Sequence, residues 1–122
     1  MRVILVIEDD LDTNEAIVGV LTAEAYSCLA AFDGEEGLRL LQRHEPAMVL
    51  LDLQLPGMSG SEFLVRKSVI PTVAHIPVAV VTGLWKVAMP DNVVAVLRKP
   101  FTIDEILDVV WKFAPLPTPK SA

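Results

Sequence analysis

Three signals each close an apolar run in this chain: Glu8-Asp9-Asp10 after VILVI, Asp52 after AMVLL, and Lys99-Pro100 after VAVLR. Carboxylates held close together repel, and their pKa values rise unless a cation is shared. A small hard cation removes the conflict. Mg²⁺ takes oxygen ligands, keeps several waters, and is commonly held by one or two carboxylates together with a phosphate. Glu8, Asp9 and Asp52 therefore predict a divalent-metal site that works on phosphate, with Mg²⁺ as the cofactor. Lys99 adds a compact positive charge suited to a phosphoryl oxygen. Thr82 adds a hydroxyl, and Gly83 beside it leaves room for an incoming group. Phosphoryl transfer needs mostly positioning and charge neutralisation, and an aspartyl phosphate is one covalent outcome of it.

Each of these residues alone has a plainer reading. The three acids could be a solvated turn with helix caps, Thr82 an ordinary strand-end threonine, and Lys99 a surface lysine. Their convergence is what favours chemistry. Asp10 is expected to cap a helix rather than bind a metal.

The elements that must position these groups alternate strand and helix. Val3 to Ile7, Ala47 to Leu51, Val78 to Val81 and Val94 to Leu97 are apolar throughout, as strands of a parallel sheet covered on both faces must be. Ser27 to Ala31 reads as a weaker strand. In such a sheet the ligand crevice lies beyond the carboxyl ends of the strands, so the acids and the lysine share one rim. Apolar spacing predicts helices over about Thr13 to Ala25, with Ile17, Val20, Leu21 and Glu24-Ala25 on the inner stripe, and over Glu35 to Arg43, with Leu38 and Leu41 inward. Gly37 costs the second of these about 1 kcal/mol relative to Ala. A third helix is expected over Ser61 to Ser68. Thr102 and Glu105 have the spacing of a capping box, opening a last helix that runs to Phe113 with Ile103, Ile106, Leu107 and Val110 on one face.

At 122 residues the chain is expected to form one domain, residues 1–113, followed by a Pro-rich tail or linker, 114–122. Although 52% of the residues are apolar, no run approaches the roughly 18 residues that a membrane span needs. A cytoplasmic protein with no membrane partner is the reading. The net charge of −6, without a Lys/Arg cluster, argues against nucleic acid as a direct partner. The single Cys28 excludes an internal disulfide and reads as a buried, inert thiol. His44 and His75, beside prolines and without ligand partners, read as surface residues.

Taken in order, VILVIEDD, VLLDLQLPGMSG, VVTG and RKPF resemble the receiver domain of two-component response regulators, over about residues 2–113. The resemblance implies a flavodoxin-like, doubly wound α/β fold: a five-stranded parallel sheet of order 2-1-3-4-5 with helices on both faces. It implies that Asp52 accepts a phosphoryl group, that Glu8 and Asp9 with Asp52 and the carbonyl of Gln54 hold Mg²⁺, and that Thr82 and Lys99 are the switch hydroxyl and the family lysine. A cis peptide before Pro100 is implied as well. The phosphodonor would be a sensor histidine kinase or a histidine phosphotransfer protein, and the output an unidentified protein.

Two departures stand out. Gly83 to Val93 holds only eleven residues, including Pro90, where a crossover between parallel strands usually needs a dozen or so and most often a helix. The family's fourth helix is thus expected to be short or absent. Val96 stands where the family usually has Tyr or Phe, which puts the usual readout in question. Trp85 or Met89 could replace the lost surface, though packing is the simpler role for Trp85. The leading function is a phosphoacceptor that is no enzyme beyond its own phosphorylation and dephosphorylation. The alternative is a receiver-like interaction module whose output ignores phosphorylation. A small Mg²⁺-dependent aspartyl phosphatase is disfavoured, because no second acid adjoins Asp52 and no cap domain encloses a substrate.

Overall fold

A computed structural model describes residues 2–83 and 92–117. Its elements run β1 (Val3–Ile7), α1 (Leu11–Ala23), β2 (Ser27–Ala31), α2 (Gly34–His44), β3 (Met48–Asp52), α3 (Gly60–Ser68), β4 (Val78–Thr82), β5 (Val93–Arg98) and α4 (Ile103–Phe113). All strand pairs are parallel, in the order β2-β1-β3-β4-β5. The described residues thus hold five strands and four helices in the doubly wound arrangement read from the sequence. The stretch foreseen as a short or missing helix, with Trp85 and Met89, falls outside the described residues.

Strand pleating sends alternate residues to opposite faces, and each face meets two helices. Ile4, Val6 and Leu50 pack with Ile17 and Leu21 of α1 and with Ile106 and Val110 of α4. Leu5, Ile7, Val49 and Leu51 pack with Leu41 of α2 and with Phe63 and Leu64 of α3. Gly37 lets α2 lie flat on β1, since a Cβ there would come within 2.6 Å of Ile7 Cδ1. The propensity cost of this glycine is the condition for that close packing.

Each of the four helices among the described residues opens on a side-chain cap, each worth about 1 kcal/mol. Asp10 caps α1, Asp33 caps α2, Ser59 caps α3, and Thr102 forms with Glu105 the foreseen capping box of α4. The first helix is shifted relative to its apolar spacing. It spans Leu11–Ala23, and Ala25 has a left-handed φ of 72°, so Glu24 and Ala25 leave the inner stripe and are exposed. Ile103, expected inward, is 59% exposed because it is the first residue of α4, ahead of the stripe that meets the sheet. Cys28 is half-buried rather than buried, being on the edge strand β2, and its burial still pushes the thiol pKa up. His44 and His75 are exposed. The chain stays packed beyond Phe113: buried Ala114 accepts from the Tyr26 hydroxyl at 2.9 Å, and Pro115 accepts from Arg2 Nε at 3.0 Å.

One buried cation carried no sequence signal. Lys67 of α3 is fully buried, and its ammonium donates to the Ala74 carbonyl at 2.9 Å. Burial pulls its pKa from 10.5 to about 8. Between those values the folded form holds fewer protons than the unfolded form, so stability should rise as pH climbs from about 8 to about 10.5. Lys67→Met should remove that rise, as measured by urea denaturation across this window.

Candidate functional site

The carboxyl ends of β1, β3 and β4 and the residue after β5 meet at one rim. Glu8 directly follows β1 and is only 2% exposed. Its main chain is fixed from two sides. The Glu8 amide donates to the Ala31 carbonyl of β2 at 3.0 Å, and Asn14 Nδ2 of α1 donates to the Glu8 carbonyl at 3.0 Å and to that of Ala31 at 3.1 Å. Asn14 is buried at an inner position of α1, one turn before Ile17. A polar residue in an apolar stripe was the available clue to it, and the sequence reading passed over it.

Asp52 ends β3 and is 3% exposed. Its Oδ1 accepts the Gln54 amide at 2.9 Å, and its Oδ2 accepts Lys99 Nζ at 3.0 Å. The same ammonium donates to Glu8 Oε1 at 2.7 Å, while Glu8 Oε2 accepts the Asp10 amide at 3.1 Å. Lys99 thus links two carboxylates that the sequence separates by more than forty residues. Carboxylate oxygens of Glu8, Asp9 and Asp52 all lie within 4.8 Å of one another. Asp9 is the exposed member of the three.

Burial raises the pKa of Glu8, the Lys99 and Asp10 hydrogen bonds pull it back in part, and the neighbouring Asp52 raises it again. For Lys99, burial works against the charged form, but hydrogen bonds to Glu8 and Asp52 outweigh it and the pKa is raised. Asp10 feels this charge balance only as a minor influence from Lys99. It caps α1 and its pKa is lowered by the Thr13 hydroxyl and amide. Its foreseen role as a cap holds.

Thr82 is fully buried at the end of β4, and its carbonyl accepts the Lys99 amide at 2.9 Å. The Lys99–Pro100 peptide is cis, as the resemblance implied. Gln54 itself is exposed and is tied to the site through its amide. The loop after Asp52 is anchored by Gly60, whose amide donates to the Leu53 carbonyl at 3.0 Å. Met58 of this loop is buried against Gly34, the first residue of α2. What Gly60 and Met58 touch depends on tertiary packing and has no local sequence signal.

The carboxylates of Glu8, Asp9 and Asp52, two of them paired with the Lys99 ammonium, form an oxygen-rich donor set of the kind that suits a hard divalent cation. Among the described residues no helix is long and apolar enough to cross a membrane.

The family model "Response regulator receiver domain" matches residues 4–111. Sporulation initiation phosphotransferase F of Bacillus subtilis is 32% identical over 116 residues, covering 93% of this chain and 94% of that protein. The uncharacterized transcriptional regulatory protein YcbL of the same species is 38% identical over 79 residues, 65% of this chain but 34% of that protein. Among solved structures, the chemotaxis response regulator CheY4 of Vibrio cholerae superposes with a TM-score of 0.82 at 21% identity, covering 93% of this chain and 98% of that one. With the sheet order, the strand-end acids and these matches together, the chain belongs to the response regulator receiver domain family of two-component signalling.

Proposed function

We propose that this receiver accepts a phosphoryl group on Asp52 from a phosphohistidine of a sensor histidine kinase or a histidine phosphotransfer protein. The observation that carries the reading is the setting of Asp52. It is a buried strand-end carboxylate, held at one oxygen by Lys99 and at the other by the Gln54 amide, beside Glu8 and Asp9. In the transfer an Asp52 oxygen attacks phosphorus, the P–N bond breaks, and the departing imidazole nitrogen keeps the electron pair and takes up a proton. Lys99 neutralises charge gathering on the phosphoryl oxygens, and Thr82 offers its hydroxyl to the same group. Glu8, Asp9, Asp52 and the Gln54 carbonyl would hold Mg²⁺. Bound there, the ion supplies charge neutralisation of the phosphoryl oxygens.

The protein is then a cytoplasmic signalling module that turns over no metabolic substrate, acts through protein–protein contact, and loses its phosphate by hydrolysis. Incubation with phosphoramidate or acetyl phosphate and Mg²⁺ should add one acid-labile phosphoryl group, detected by intact mass. Asp52→Asn should add none, and a wild-type protein that stays unmodified would overturn the reading. Asp9→Asn should weaken Mg²⁺ binding about tenfold or more in a calorimetric titration, since the ion is held by few carboxylates.

One observation favours a second reading, an interaction module with phosphorylation-independent or non-standard output. Val96, in place of the family's aromatic, is 38% exposed on edge strand β5 and has no ring to swing. Wild-type labelling without any change in partner affinity would select it.

A further inference from the structure

The three acids of the rim are not held alike. Glu8 has both carboxylate oxygens engaged, by Lys99 and by the Asp10 amide, and so has Asp52, by Lys99 and by the Gln54 amide. Among the described residues no hydrogen bond or ion pair reaches the Asp9 carboxylate, although it lies within 4.8 Å of the other two. Its place in the set must therefore come from its main chain.

Both peptides flanking Asp9 are pinned. After it, the Asp10 amide donates to Glu8 Oε2 at 3.1 Å. Before it, the Glu8 carbonyl accepts Asn14 Nδ2 at 3.0 Å. That nitrogen gives its second hydrogen to the Ala31 carbonyl at 3.1 Å, which also accepts the Glu8 amide at 3.0 Å. These bonds close a ring between Glu8, Asn14 and the end of β2. Asn14 is itself fixed, being 1% exposed with its amide on the Asp10 carbonyl at 2.9 Å. It thus holds the residue on each side of Asp9, one by side chain and the other by main chain.

Few side chains could do this. Asn presents two N–H groups from one nitrogen on a short stem. Asp would aim a carboxylate at two carbonyls, Ser has a single hydrogen to give, and Leu has the shape without a donor. We propose that Asn14 is a positioning residue for the metal site: by clamping the Glu8–Asp9 peptide to the end of β2 it sets where the Asp9 carboxylate stands, and with it the affinity for Mg²⁺ rather than the rate of phosphoryl transfer. The inference rests on the phosphoacceptor reading for its ion. A residue that merely glued α1 to the strand ends would change stability alone.

The test compares Asn14→Leu with Ile17→Ala. Ile17 is buried one turn further along α1 and packs in the core, so truncating it loosens the helix and leaves the donor to Glu8 in place. In a calorimetric titration Asn14→Leu should bind Mg²⁺ about tenfold or more weakly than the wild type, the usual loss when a group orienting a metal ligand is removed. Ile17→Ala should bind as the wild type does, even though urea denaturation in chelator finds it destabilised. With phosphoramidate, the Mg²⁺ concentration for half-maximal labelling should rise in Asn14→Leu, while the rate at saturating Mg²⁺ stays within about twofold of the wild type. Before any Mg²⁺ is added, the Asp9 and Asp10 amide shifts should move in this variant and that of Gln54 should not. Asn14→Ser should fall between the two, and it carries the test if the Leu variant does not fold. Unchanged Mg²⁺ affinity in the Asn14 variants, an equal loss in Ile17→Ala, or a slower saturated rate at unchanged half-saturation would overturn the proposal and leave the role of Asp52 intact. A wild-type protein that binds no Mg²⁺ and takes up no phosphoryl group would overturn the phosphoacceptor reading, and this inference with it.

Discussion

Lys99→Ala is expected to slow phosphorylation of Asp52 by phosphoramidate by about two orders of magnitude or more, the usual loss when one preorganised charge is removed from a transition state. The ammonium sits 3.0 Å from Asp52 Oδ2, where an added phosphoryl group would lie within its reach. The same change should alter stability. Glu8 and Asp52 are 2% and 3% exposed, and Lys99 donates to both. Without it, Glu8 loses the strongest influence holding its pKa down and rises further above 4.5. A carboxyl whose folded pKa is raised binds more protons folded than unfolded, so stability falls as pH rises through that range. In chelator, the melting temperature of Lys99→Ala should therefore drop more steeply as pH rises above 4.5 than that of the wild type. In the wild type, the raised Lys99 pKa means that the pairing stabilises below about 10.5 and is lost as pH rises beyond it. Equal labelling rates and parallel melting profiles would remove Lys99 from the acceptor.

The second large effect is structural. Gly60→Ala places a Cβ 2.5 Å from Leu53 Cα and 2.7 Å from the Asp52 carbonyl oxygen. Both neighbours are backbone, so no rotamer change relieves the contact. Overpacking of this kind costs about 3 kcal/mol, or about 10 °C in melting temperature for a domain of this size. Either α3 moves outward or the Asp52–Leu53 backbone does, so phosphorylation should slow as well. Gly19→Ala provides the contrast. It lies in α1 on an exposed face where a Cβ meets nothing within 4 Å, so helix propensity alone should stabilise by up to about 1 kcal/mol. If the two substitutions melt alike, the close approach at Gly60 is not real.

What the chain announces about itself follows from where its information is local. Parallel strands buried on both faces are uninterrupted apolar runs, so VILVI and MVLLD identify themselves, and so do the charged residues that stop them. The capping box of α4 is complete within Thr102 and Glu105. Asn14, Lys67 and Gly60 are different in kind. A buried polar side chain is explained only by its distant acceptor, Ala31 for Asn14 and Ala74 for Lys67, and a forced glycine only by the backbone it touches. Local propensity misjudged Gly37 for the same reason. The end of α1 was misplaced because a helical apolar stripe does not reveal that Ala25 turns left-handed. The acids were legible as a set, but the sharing of one ammonium by Glu8 and Asp52 appears only once the ends of β1, β3 and β5 meet at one rim of the sheet.

The bonds from Arg2 to Pro115 and from Tyr26 to Ala114 bring the two described ends of the chain together. They meet below the amino edge of the sheet, a full strand length from the acidic rim. A short bridge could close the chain into a ring there, and the ring could be reopened elsewhere, giving a circular permutant that keeps every rim contact. Cargo attached at Arg2 or Pro117 would hang from this same corner, away from the acidic rim. The fold is thus wired like a plug whose leads both leave from the back.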